Sequence, residues 1–102
     1  MDDTIDFCGE RHHSKASLVR RTRAVRDQYE PGDRVKSEHE IFIMALLLKH
    51  PDYQEKISGR EISHFEVRRY KYQTLAFFIV FADGSAADFS FMKSIKEIAN
   101  GD

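Results

Sequence analysis

Two stretches of the chain carry residue types that bind rather than transform. Arg68-Arg69-Tyr70-Lys71-Tyr72 interleaves cations with rings, a combination suited to RNA, because cations neutralise phosphate while rings stack on unpaired bases. The second stretch, residues 11 to 26, holds Arg11, Lys15, Arg20, Arg21, Arg23 and Arg26 with no acid among them, whereas the remaining residues carry more acids than bases and the net charge is −1. Arg20, Arg21, Arg23, Arg26, Arg68, Arg69, Tyr70, Lys71 and Tyr72 are therefore the candidate RNA-binding residues. A plainer reading stands beside each stretch: a solvated helix face for the arginines, and an ordinary exposed hairpin for the tyrosines. If both stretches serve one ligand, residues 20 to 26 and 68 to 71 must share a face.

Catalytic constellations are missing from the sequence. It contains no G-x-S-x-G elbow, no G-x-x-x-x-G-K-[ST] loop, no H-E-x-x-H and no G-x-G-x-x-G. His12 and His13 are adjacent and diverge in direction, and His39, His50 and His64 fall in separate elements without ligand spacing, so surface or capping roles are expected of them. Cys8 has no neighbour placed to lower its pKa and reads as a small, partly buried side chain. Asp83 is explained by turn chemistry. Asp88, between Ala87 and Phe89, must face water, pair with a base or cap the helix that follows. The expectation is a protein that is not an enzyme, with no catalytic residues, no metal site and no small-molecule cofactor.

Composition bounds the class. A chain of 102 residues, 41% hydrophobic and 32% charged, has ordinary globular usage and the size of a single domain. One domain is expected over residues 1–102, with disordered ends at 1–4 and 100–102. The longest apolar run, Ile41 to Leu48, is far short of the about 20 residues a membrane span needs. No membrane partner is expected. The acidic start, Met1-Asp2-Asp3-Thr4, is unlike a secretory signal, and with Cys8 alone no intrachain disulfide forms, so a cytoplasmic monomer is expected.

Positioning elements follow from pattern. Ile5 to Cys8 suggests a short strand, and Ser14 an N-cap for a helix from Lys15 to about Gln28 whose narrow apolar stripe is Leu18, Val25 and Tyr29, with Thr22 between. Tyr29-Glu30-Pro31-Gly32-Asp33 makes a turn. Ser37 and Glu40 have capping-box spacing, and the helix they introduce is apolar nearly all round, so it should be wedged between the sheet and other helices. His50-Pro51 ends it, and Asp52 to Ile57 adds a short helical turn. Beyond Gly59 the period becomes alternating, with Phe65 and Val67 on one face and His64, Glu66 and Arg68 on the other. Thr74 to Phe81 reads as a strand covered on both faces, Asp83-Gly84 as a hairpin turn, Ala86 to Phe89 as the returning strand, and Ser90 to Ala99 as a final helix. The predicted fold is α+β: a small antiparallel sheet of three to four strands, with a C-terminal β hairpin, packed against three to four helices.

Several of these segments occur together in a known family. Tyr29-Glu30-Pro31-Gly32-Asp33-Arg34-Val35, Glu38 with Glu40-Ile41-Phe42, Leu46-Leu47 with His50-Pro51, Glu55-Lys56-Ile57, Ile62 to Arg69, Phe78-Ile79-Val80 with Asp83-Gly84-Ser85, and Asp88-Phe89-Ser90-Phe91-Met92-Lys93 follow in order. Over roughly residues 7 to 95 the chain resembles the DCL-like domain of the plant "defective chloroplasts and leaves" proteins and their small bacterial relatives. Two positions depart from that pattern: the glycine-rich segment after Lys-Ile is Ser58-Gly59-Arg60-Glu61 here, and Ser94 replaces the usual cysteine. The resemblance implies an association with maturation of ribosomal RNA and offers no catalytic residues to carry over. The expectation is a non-enzymatic RNA-binding module, on structured or single-stranded RNA, assisting ribosomal RNA processing or ribosome assembly. The alternative is a protein–protein interaction module that docks on a larger assembly through an exposed hairpin edge or an apolar patch.

Overall fold

Val67, Phe77 and Phe89 stand side by side across three antiparallel strands, and all three are buried. This row belongs to the inner face of a four-stranded sheet. In the computed structural model, which describes residues 4–71 and 74–100, the order of elements is β1 (Ile5–Phe7), β2 (Glu10–His12), α1 (Lys15–Arg26), β3 (Asp33–Arg34), α2 (Ser37–Leu48), α3 (Tyr53–Ile57), β4 (Ile62–Arg69), β5 (Leu75–Phe81), β6 (Ala86–Phe89) and α4 (Phe91–Ala99). The main sheet runs β3-β4-β5-β6, antiparallel throughout, and β1 with β2 forms a separate hairpin. The fold is α+β, as the alternation of periods predicts. Of the ends expected to be disordered, all but Thr4 and Asn100 lie outside the described residues, as does Tyr72.

The core is built where strand period meets helix stripe. Phe65, Val67, Phe77, Ile79, Phe81 and Phe89 bury one face of the sheet against Leu18 and Val25 of α1, Ile43, Leu46 and Leu47 of α2, and Phe91 and Ile95 of α4. Each fully buried large side chain is worth about 1.5–3 kcal/mol relative to exposure. Among the described residues, no helix covers the opposite face of the sheet. There Phe78 is shielded by side chains instead: the Arg68 guanidinium lies 5.3 Å and the Tyr70 ring 6.0 Å from its ring centroid. Coverage of β5 on both faces is thus real, but long polar side chains provide the outer layer.

Local chemistry explains the element ends. Ser14 caps α1 as expected, its hydroxyl accepting from Ser17 N–H at 3.2 Å. Buried Thr22 satisfies its hydroxyl on Leu18 C=O at 2.9 Å. In the turn after α1, Asp33 accepts from Glu30 N–H, and Gly32, at φ +95, donates to Val67 C=O at 2.7 Å. That φ is open to glycine and poorly open to other residues. Cys8 and Gly9 both take positive φ in the tight β1–β2 turn, which leaves Cys8 exposed rather than partly buried. The polar strand β2 carries no hydrophobic alternation to announce it.

Three expectations are corrected. The Ser37–Glu40 capping box does not form: α2 begins one residue earlier than the box requires, with Lys36 at the cap and no side-chain cap bond. Instead, the Tyr29 hydroxyl accepts from Lys36 N–H at 3.0 Å and is hydrogen-bonded to His39 Nδ1. Nor is α2 wedged on all sides. Phe42, Ile43, Leu46 and Leu47 are buried, whereas Ile41 is 74% and Leu48 53% exposed, because the molecule has only two layers and nothing lies beyond the helix. Finally, His12, His39 and His50 are buried and not on the surface, although His50 has a capping role, accepting from the N–H of Asp52 at the start of α3.

Tyr29→Phe should cost about 1–3 kcal/mol in urea unfolding, since it strands the buried His39 nitrogen and the Lys36 amide together. Ser94→Ala should be neutral or stabilising by about 1 kcal/mol in the same assay, because the Ser94 hydroxyl is buried in the α4 interface without a partner. Burial holds the His50 imidazole below its ordinary pKa, so the unfolded chain binds its proton first. Stability should therefore fall as pH drops through about 6.5. His50→Asn, which keeps an acceptor for Asp52 N–H, should flatten that decline in denaturation curves taken across the range.

Candidate nucleic-acid interface

At about 100° per residue, the buried stripe of α1, Leu18, Thr22 and Val25, separates two flanks. Lys15, Arg20, Arg23 and Arg26 lie toward one flank and Arg21 on the other. Arg21 is accordingly turned to β2, where it meets Glu10 through both carboxylate oxygens, Nη2 to Oε2 at 3.1 Å, with its guanidinium 5.4 Å from the Phe42 ring. The hydrogen bond from Arg21 keeps the Glu10 carboxyl below its ordinary pKa despite partial desolvation. This pair fastens the N-terminal hairpin to α1.

The other flank faces a notch in the sheet. β6 ends at Phe89, opposite Phe77, while β5 begins at Leu75, so the first residues of β5 have no strand beside them on that edge. The chain turns away at Ser90 into α4. A cavity of about 310 Å³ remains, bounded by Arg23 and Arg26 of α1, Tyr70 and Thr74 at the β4–β5 hairpin, Leu75 and Ala76 of β5, and Asp88 and Met92. Phe77, Phe89 and Phe91, packed ring against ring at 6.0–6.2 Å, form its floor. Arg26 reaches the unpaired Leu75 carbonyl at 3.5 Å and holds Asp27 at 3.0 Å. A second depression of about 360 Å³ lies beside the first, lined by Lys15, Ala16, Val19, Arg20, Arg23 and Met92. Arg23 and Met92 belong to both, so the two meet as one groove.

Among the described residues, no acid pairs with Lys15, Arg20 or Arg23, which are exposed along this groove. Tyr70 is exposed at its far end, where its ring leans on Phe78 of the outer face and Lys71 Nζ lies 5.6 Å from the ring centroid. Arg69, opposite Leu75 in the ladder, is exposed at the same end of the sheet. Arg68 takes the outer face, where it donates to Glu66 at 2.9 Å. Burial pushes the Glu66 carboxyl up, but hydrogen bonds from His64 and Arg68 outweigh it and hold the group below its ordinary pKa. The structure thus gathers Arg20, Arg23, Arg26 and Tyr70 and holds Arg21 and Arg68 elsewhere in ion pairs.

Lys15, Met92 and Asp88 enter the site without having been singled out as binding residues. The one sequence signal was the spacing of Lys15, Arg20 and Arg23 along a single helix flank. Met92 and Asp88 come from the opposite end of the fold, and no local pattern connects them to α1. Asp88 does not cap α4, whose N-cap is Ser90 with no side-chain bond; its backbone carbonyl accepts from Lys56 at 2.8 Å and the residue borders the cavity. Among the described residues, no group of three His, Cys, Asp or Glu side chains converges to hold a metal ion, and no helix is long and apolar enough to cross a membrane.

The same architecture occurs in the solution NMR structure of an uncharacterized protein from Rhodospirillum rubrum, which is 34% identical to this chain. The likeness covers 88% of this chain and 86% of that one, with a TM-score of 0.79. No curated protein matches. A family model described as a protein of unknown function (DUF3223) matches residues 23–95, from Arg23 in the groove through Ile95 in the core, and the chain belongs to that family.

Proposed function

We propose that the protein is a non-enzymatic module that binds single-stranded RNA along the groove between α1 and the β4–β5 hairpin. The observation that supports this reading is the meeting of Arg23 and Arg26 with Tyr70 around one cavity, although more than forty residues separate them in the chain. Lys15, Arg20 and Arg23 contribute phosphate contacts, since each is exposed and has no acid paired with it among the described residues. Tyr70 offers a face on which one base stacks, and the exposed Met92 lies between the two depressions. Asp88 repels phosphate at its end of the cavity and suits the amino donors of a base edge instead.

The resemblance to the DCL-like domain extends the proposal to a role: assistance in ribosomal RNA processing or ribosome assembly, by a cytoplasmic monomer. A groove with a cationic wall and the exposed Tyr70 ring at its end fits an unpaired strand better than a duplex, because stacking requires a base free of its partner. With the overall charge near neutral, affinity depends on this local cluster and not on long-range attraction.

Fluorescence anisotropy with a labelled oligouridine or mixed-sequence single-stranded RNA tests the proposal. Binding should weaken steeply with salt, with a slope near −0.7 per phosphate neutralised. Arg20→Glu with Arg23→Glu should reduce affinity at least about tenfold and flatten the slope, and Tyr70→Ala should cost about 1–3 kcal/mol. Lys49→Glu, a charge reversal away from the groove, is the control. Absent or salt-insensitive binding, or an equal loss from the control, overturns the reading.

A further inference from the structure

The opposite edge of the sheet carries a second groove of different chemistry. β3 pairs with β4 only through Asp33 and Arg34, opposite Val67 and Glu66, and its last contact is Val35 N–H to Phe65 C=O at 2.8 Å. Ile62 to His64 therefore have no strand on that side. The register with β5 shifts between Ile62 and His64, which leaves Ser63 without a partner residue in β5 as well. Beside this open edge runs the uncovered face of α2, with Ile41, Met44, Ala45 and Leu48 at i, i+3, i+4 and i+7. Together with Glu40, Ile62, Ser63, His64 and Phe65 they line a cavity of about 520 Å³.

We propose that this groove accepts an extended segment of a partner protein, added as a strand along the free edge of β4 at Ser63. The segment has apolar residues at alternate positions, which enter between the α2 side chains, and a cation that meets Glu40. Three observations select this occupant. An unpaired strand edge offers backbone hydrogen bonds to another extended chain and to nothing else as well, and the bulged Ser63 has no partner residue in β5. The apolar α2 face is within reach of side chains on alternate positions of such a strand. Glu40, half-buried at the rim, has no cationic partner among the described residues, so charge complementarity calls for a base on the incoming segment.

A second copy of the chain fits less well. From Ile41 to Leu48 the face is about 10 Å long, and four apolar side chains fall well short of the about 800 Å² per partner that stable dimers bury. A copy's own β4 edge presents an acid, Glu61, beside Ile62 and Ser63. The length matches about four extended residues.

Blocked hexapeptides of the form Arg-X-Thr-X-Thr-X, with X as Val, Ile or Leu, titrated into the ¹⁵N-labelled protein test the site. The expected result is shifts at the Ser63 and His64 amides, slowed exchange of those amides, and affinity in the micromolar to millimolar range. Leu48→Lys, at an exposed position, should weaken binding at least tenfold while preserving the fold and the RNA affinity. Glu40→Lys should weaken the Arg peptides and restore binding to the same series begun with Glu. Four outcomes overturn the proposal: no binding by any member at millimolar concentration, shifts confined to the α1 groove, shifts of α2 with Ser63 unmoved, or concentration-dependent dimerisation abolished by Leu48→Lys. Failure of RNA binding leaves this result untouched, since the two grooves share no residue.

Discussion

The Tyr29 hydroxyl is the point from which both grooves are positioned. It accepts from the first amide of the α2 entry, Lys36 N–H, and bonds to His39 one turn into that helix, while the Tyr29 ring, 6% exposed, packs into the core. The turn that follows anchors Gly32 on Val67 and Val35 on Phe65, so α1, β3 and α2 are all referenced to one stretch of β4. A hydroxyl buried in this position is costly unless both its roles are filled, and here they are. The consequence is a fixed registration of the C-terminal end of α1 against the β5 notch, and of the α2 face against the β4 edge.

Both notches have the same origin. The two inner strands, β4 and β5, are longer than the outer ones, so each overhangs its neighbour: β4 beyond β3 on one edge, β5 beyond β6 on the other. Exposed strand edges invite unwanted pairing and are ordinarily blunted by charge, bulges or brevity. The β5 overhang is blunted by Arg26, whose guanidinium reaches the Leu75 carbonyl. At the β4 overhang only the irregularity at Ser63 interrupts the edge, and the neighbouring helix face is apolar. The contrast in chemistry between the grooves therefore reflects which helix lies over each overhang: basic α1 or apolar α2.

Most of the fold was legible because its signals are local. The Ser14 cap, the Pro31-Gly32 turn, the alternation from Phe65 to Arg68 and the Asp83-Gly84 turn are each set by a few adjacent residues, and Asp83 accepts from Ser85 as such a turn requires. What misled was of another kind. β2 has no apolar alternation, because its partner β1 and its salt-bridged Glu10 hold it, and α2 is apolar on a face that nothing covers. For the site, helical spacing placed Arg20 and Arg23 together, yet Arg21, adjacent to both, belongs to Glu10 across a contact no sequence pattern encodes. Arg68 was placed on the strand face opposite the core by alternation alone, and that same alternation removes it from the groove.

Ser58-Gly59-Arg60-Glu61 shows how one short segment serves several elements at once. Arg60 donates to the Ile57 and Lys56 carbonyls at the end of α3 and to the Ser85 hydroxyl, with its guanidinium 3.8 Å from the Phe81 ring centroid. One side chain thus closes a helix, ties it to the β5–β6 turn and covers the end of the core, work for which glycine has no atoms. Ser58, at φ 51, takes the left-handed position that ends α3. These contacts tie down the end of the sheet where β4 begins, directly before the free edge at Ser63, while at the other end Tyr70 packs on the Phe78 ring and Arg26 reaches the Leu75 carbonyl. With cations gathered at one edge and an apolar face at the other, the two grooves set different chemistries on opposite edges of one sheet and share no residue.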